Sequence, residues 1–215
     1  MDTGALLTLN GITLRQRVPS GPGPHRLVLM LHGWTGDEDV MWIFASRLPR
    51  DAWLVAPRGL HPAPQGGYGW TPRLSHDWPY LEDFRPPVEA LLELLTPANF
   101  PTADLVDIDL VGFSQGAALG FSLGLLYPDW VRRMAGLSGF VPDGAQAAAA
   151  GKPLIGKSAF LAHGTQDATV PVARARDGAA LLRSAGAEVF YCEDDVGHKL
   201  SAGCFRSLEY YFKDS

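Results

Sequence analysis

A series of short apolar runs, separated by segments of helical period, constrains this chain more than any other feature. The runs fall at 27–31, 53–56, 106–111, 134–137, 159–162 and 189–191. Their length suits strands, and continuous apolar runs such as 27–31 suit strands covered on both faces. Between them, 39–48, 83–95, 115–126, 172–185 and 199–212 carry helical patterns. Strands alternating with helices predict an α/β fold: a mostly parallel central sheet with helices on both faces. A single domain over 1–215 is expected, since 215 residues suit one core of ordinary size. Ahead of this pattern, 6–15 predicts a hairpin around Asn10-Gly11, two residues that tolerate positive φ.

Composition narrows the function. Hydrophobic residues make up 47% and charged residues 19%, the balance of a globular protein. A net charge of −5 and the lack of any Lys/Arg-rich run argue against nucleic acid as a partner. No apolar run approaches the roughly 20 residues of a membrane span, and the N-terminus has no signal-peptide pattern. The two cysteines, Cys192 and Cys204, are expected to be buried, reduced thiols, and the cytoplasm is the expected location.

In a sheet of this kind ligands bind beyond the carboxyl ends of the strands. Gly112-Phe113-Ser114-Gln115-Gly116 lies there, between an apolar strand and a helical pattern. It fits G-x-S-x-G, in which a sharp strand–turn–helix elbow projects the serine into a cleft. The flanking glycines are expected because side chains would clash as the backbone turns. Gly136-Leu137-Ser138-Gly139-Phe140 also follows a strand but lacks the second glycine, so Ser138 is expected in a loop.

A serine hydroxyl needs a base. Among six histidines, His198 follows the last strand and precedes the last helical pattern, in the chain order Ser…Asp/Glu…His. His32 and His163 each precede glycine at a strand end and are expected to brace loops. The acid that orients the base is expected at Asp167, on the loop after 159–162, with Asp194 and Asp195 as rivals. Backbone N–H donors for a developing oxyanion are expected from Gln115 and Trp34, with Thr35 as the alternative to Trp34. The stretch 58–82 is long, aperiodic and rich in aromatics, as functional loops often are. Trp34, Trp70 and His76 are the candidate pocket residues.

Together these landmarks resemble the phospholipase/carboxylesterase family of α/β-hydrolases that includes acyl-protein thioesterases. The resemblance runs through H-G-W-T-G-D at 32–37, A-P-R-G at 56–59, G-F-S-Q-G-A at 112–117, L-S-G-F-V-P at 137–142, H-G-T-Q-D-A-T-V-P at 163–171 and G-H at 197–198. It implies an α/β-hydrolase fold with little or no cap. It also implies an esterase or thioesterase that acts on a small-molecule substrate and uses no metal or cofactor. Ser114, Asp167 and His198 then stand as the triad, with Trp34 and Gln115 as oxyanion donors. Trp34 stands where eukaryotic thioesterases usually carry leucine, and 60–82 departs from the family's usual run. Protein depalmitoylation therefore does not follow from the resemblance. An acyltransferase, a C–C hydrolase or a non-catalytic binding module on the same fold are the rivals.

Overall fold

The computed structural model describes residues 4–72 and 77–213. Among the described residues ten strands appear in chain order: β1 (Ala5–Leu9), β2 (Ile12–Arg17), β3 (His25–Leu31), β4 (Trp53–Pro57), β5 (His61–Pro62), β6 (Tyr68–Gly69), β7 (Ala103–Phe113), β8 (Val131–Leu137), β9 (Ser158–Gly164) and β10 (Glu188–Asp194). The helices are α1 (Arg85–Leu94), α2 (Gln115–Leu126), α3 (Gln146–Ala150), α4 (Val172–Ser184) and α5 (Ala202–Lys213).

Eight strands form one sheet in the order β1-β2-β4-β3-β7-β8-β9-β10. β1 and β2 form the expected hairpin, with Asn10 at φ 49° and Gly11 at φ 80°. β2 joins β4 antiparallel, and every later pairing is parallel. From β3 the chain passes to β4 on one side and later returns to β7 on the other. The carboxyl ends of β3 and β7 therefore flank the switch point, where an open α/β sheet forms its crevice.

Side chains alternate across the sheet, and the alternation builds two cores. Leu27, Leu29 and Leu31 of β3, Leu110 of β7 and Leu161 of β9 point to the face covered by α1, α2 and α4. Val28 and Met30, Val111, and Phe160 and Ala162 point to the opposite face. There Met41 and Phe44 cover them together with Cys204, Leu208 and Phe212 of α5. Burial on both faces is why Leu27–Leu31 of β3 and Ala159–Ala162 of β9 carry no polar alternation.

Three expectations need correction. The segment at 39–48 is a 3₁₀ helix over Val40–Arg47. The Asp37 carboxylate accepts from the N–H groups of Asp39 and Val40, and Trp42 N–H donates to the Asp39 carbonyl three residues back. This local capping favours the tighter turn. The last helix begins at Ala202 and not at 199. The cysteines are joined: Cys192 on β10 and Cys204 on α5 form a disulfide with Cα atoms 5.8 Å apart. Cys192 is also only partly buried. The chain reverses between β10 and α5, and that reversal brings the two sulfurs together.

Among the described residues no helix is long and apolar enough to cross a membrane.

Candidate active site

Ser114 stands between β7 and α2 at φ 51° and ψ −115°. Positive φ in a residue with a side chain is strained, and the surroundings hold it. The Ser114 N–H donates to the Leu137 carbonyl at 2.8 Å. A Cβ on Gly112 would land on the Gly116 carbonyl, and one on Gly116 would land on the Leu31 carbonyl. The glycines thus let the elbow close on itself and let α2 lie against the end of β3. Gln115 is the first residue of α2, where a backbone N–H has no carbonyl one turn back. Ser138 is fully buried after β8, its N–H donating to the Ala162 carbonyl.

The second loop begins where β3 ends. His32 is fully buried. Its Nε2 accepts from Gly59 N–H at 2.7 Å, so the ring hydrogen sits on Nδ1, which donates to the Gly33 carbonyl at 2.7 Å. Burial holds its pKa below the usual imidazole value, outweighing the Gly33 carbonyl, which favours the charged form. Gly36 N–H closes a turn onto the Gly33 carbonyl at 3.0 Å. Trp34 and Thr35 lie at the tip of that turn, with Thr35 at φ 68°.

The long 58–72 stretch braces this turn. Trp70 is fully buried. Its Nε1 donates to the His32 carbonyl at 2.7 Å, and its ring packs 4.9 Å from the imidazole. Its backbone N–H donates to Gln115 Oε1, while Gln115 Nε2 donates to Thr71 Oγ1. Tyr68 N–H donates to the Gly36 carbonyl at 2.8 Å. The Trp34 ring lies where a Cβ on Gly69 would be, so only glycine lets the two loops meet. Arg58 grips Glu38 with two hydrogen bonds at 2.7 and 2.6 Å and packs over the Tyr68 ring. The guanidinium holds the Glu38 carboxyl below the usual carboxylate range.

The loops after β9 and β10 complete the site. The Asp167 side chain is fully buried. Its Oδ1 accepts from the N–H groups of Thr169 and Val170, both at 2.9 Å. Its Oδ2 lies 2.7 Å from His198 Nδ1. His163 Nε2 donates to the Val170 carbonyl at 2.8 Å and lies 3.4 Å from the same Oδ2, so this histidine braces the Asp167 loop from behind. Of the two rival carboxylates, Asp194 accepts from its own neighbour's N–H, and the Ser201 hydroxyl holds its pKa low. Asp195 accepts from Thr165 Oγ1. The His198 ring packs edge-on against Phe113, 5.0 Å between centroids, next to the elbow.

Ser114 and His198 line one cavity of about 540 Å³ with Trp34, Phe44, Phe113 and Phe205. Trp34 is one of the residues lining this cavity. Trp70 does not line it: the ring is enclosed behind the His32–Gly36 segment, with its N–H committed to the His32 carbonyl. His76 lies outside the described residues. The local pattern of the aromatic loop does not distinguish a tryptophan that props from one that lines.

A family model described as Phospholipase/Carboxylesterase matches residues 16–213. The chain belongs to the phospholipase/carboxylesterase family. Among curated proteins, this family member is 34% identical over 110 residues to a probable inactive carboxylesterase of Oryza sativa subsp. japonica. That match spans 50% of the chain and 42% of the relative, so the chain covers about two fifths of the length of that protein. A carboxylesterase structure from Bacillus cereus superposes with a TM-score of 0.83 at 24% identity, covering 94% of both chains. One from Mesorhizobium loti gives 0.80 at 24% identity, covering 99% of this chain and 100% of the other. Acyl-protein thioesterase 2 of Zea mays gives 0.73 at 18% identity, covering 92% and 96%. These likenesses establish the α/β-hydrolase fold.

Proposed function

We propose that this phospholipase/carboxylesterase family member acts as one domain that hydrolyses carboxylic esters or thioesters bearing an apolar group. His198 Nε2 takes the Ser114 proton as Oγ attacks the carbonyl carbon. The N–H groups of Trp34 and Gln115 hold the oxyanion. Asp167 orients the imidazole and stabilises its charged form. His198 returns the proton to the leaving alcohol or thiol. Water then attacks the acyl-enzyme with the same base, releasing acid and free Ser114.

The observation that carries this reading is the 2.7 Å His198–Asp167 bond at a cavity that Ser114 also lines. An ionised carboxylate only accepts, so Nδ1 keeps its hydrogen and Nε2 is left to accept the serine proton. The lining aromatics, with Val40 and Met41, favour an apolar acyl or alkyl group. Turnover of p-nitrophenyl esters of increasing chain length tests the reading. Ser114→Ala should lower kcat by about 10⁶-fold if the three side chains act as a unit. Near-normal turnover in that variant sinks it.

The second reading is a binding module on the same fold, prompted by a relative whose name calls it inactive. Failure of Ser114 to react with a fluorophosphonate would favour it. Cytoplasmic location is part of the proposal only with the Cys192–Cys204 bond open, because a reducing cytosol does not maintain disulfides.

A further inference from the structure

The two cysteines of the chain bracket the segment that carries His198. Cys192 is on β10, Cys204 is in the first turn of α5, and residues 193–203 between them carry His198. The first half of that loop hangs on the Asp167 loop. Thr165 N–H donates to the Asp194 carbonyl at 2.9 Å and Gln166 N–H to the Val196 carbonyl at 3.0 Å. Gly164 packs so closely on the Val196 and Gly197 carbonyls that a Cβ there would overlap them. Beyond Gly197, the backbone hydrogen bonds found among the described residues run inside the segment. Lys199 N–H donates to the Gly197 carbonyl, Cys204 N–H to Ser201 Oγ and Phe205 N–H to the Ser201 carbonyl. The half that follows His198 is therefore placed through the first turn of α5, which the disulfide ties to β10, with the Ser201 hydroxyl on the Asp194 carboxylate as a second, weaker tie.

The same turn forms a wall of the cavity. Phe205 adjoins Cys204, lines the cavity with Ser114 and His198, and stacks on Phe44 at 5.3 Å. The anchoring strand is the edge of the sheet, paired with β9. Cys204 is buried, whereas Cys192 faces a separate concavity of about 520 Å³ lined by Phe190, Tyr191 and Tyr210. That concavity gives a small thiol a route to the bond from outside the active site.

We propose that the Cys192–Cys204 disulfide is a positioning element for the base. Closed, it holds the first turn of α5 and, through it, His198 and Phe205. Opened by a small thiol of the glutathione class, it loosens both and lowers turnover. A thiolate attacks one protein sulfur, the S–S bond breaks, and the other sulfur leaves as a thiolate that is protonated. A second thiol resolves the mixed disulfide, so two thiols are oxidised to one small disulfide as the protein gains two S–H groups. The proposal rests on the hydrolase reading above.

The test uses the full chain in three forms: air-oxidised, reduced with glutathione, and the double variant Cys192→Ser, Cys204→Ala. Reduction should lower kcat on a short p-nitrophenyl ester by about tenfold, since an ångström of misplacement can cost about 10²-fold. KM should change far less, oxidised glutathione should restore kcat, and the double variant should sit at the reduced rate and ignore thiols. Two free thiols in the air-oxidised protein overturn the proposal. So does an unchanged kcat with a lower Tm, which would make the bond a fold staple alone. If neither redox form turns over ester, the hydrolase reading fails and the His198 imidazole resonance decides. Its displacement on reduction supports the positioning role, and a fixed resonance overturns it.

Discussion

A neutral imidazole at the end of β3 organises much of the site. His32 accepts from Gly59 N–H through one nitrogen and donates to the Gly33 carbonyl through the other. Protonating Nε2 would replace an acceptor by a donor facing an N–H. The folded-state pKa lies below 6.5, so as pH falls the unfolded chain binds the proton first. Stability is then full above about pH 6.5, falls with pH below it, and levels off once the folded pKa is passed. Denaturation midpoints at about pH 8 and about pH 5.5 should show a larger loss in the native protein than in His32→Gln. Glu38, whose pKa is lowered by Arg58, loses its contribution only at more acid pH and leaves this window clear. Equal losses in the two proteins would remove His32 from the account.

The element that matters most to the proposed chemistry is the loop between β4 and α1. It shapes the site by bracing the 33–36 turn, which carries the proposed donor Trp34, through bonds to the His32 and Gly36 carbonyls. Trp70→Phe deletes the donor to the His32 carbonyl and leaves that carbonyl buried and unpaired, a cost of about 1–3 kcal/mol. The Trp34 N–H then loses its fixed aim. Steady-state kinetics of the variant should show kcat down by about tenfold to a hundredfold with KM nearly unchanged. A lower Tm with normal kcat would confine Trp70 to packing. At the elbow the sequence carried part of its own reason, because the Gly112–Gly116 approach is a steric fact of a tight turn, whereas the Gly116–Leu31 approach is a tertiary contact between α2 and β3. The propping role of Trp70 was not legible there: lining and propping tryptophans have the same local pattern.

Across the whole molecule, α5 is held at both ends. Its first turn is tied by the disulfide. Its last carbonyls accept from Arg133 at Tyr211 and from Arg26 at Phe212, as a helix C-terminus favours. Those arginines, with Arg132, surround the fully buried Asp109 carboxylate. Asp109→Asn leaves the enclosed Arg133 without its countercharge and should destabilise the fold by about 3–5 kcal/mol in denaturant titrations. Ser114 lies five residues further along the chain, about 17 Å at strand spacing. The folded fraction should therefore keep its turnover. Loss of turnover without loss of stability would tie this cluster to the site.

The sequence by itself determined the layered sheet, the hairpin at Asn10-Gly11 and the elbow at Ser114. Each of these is written in short apolar runs, in a helical period, or in turn residues a few positions apart. Tertiary structure decided which of Asp167, Asp194 and Asp195 meets His198, which tryptophan faces the cavity, and that Cys192 and Cys204 meet at all. Those choices depend on how closely separate loops approach at one end of the sheet, and no local period records that distance. The expectation of reduced thiols failed for this reason: twelve residues of separation carry no sign that the chain folds back around His198.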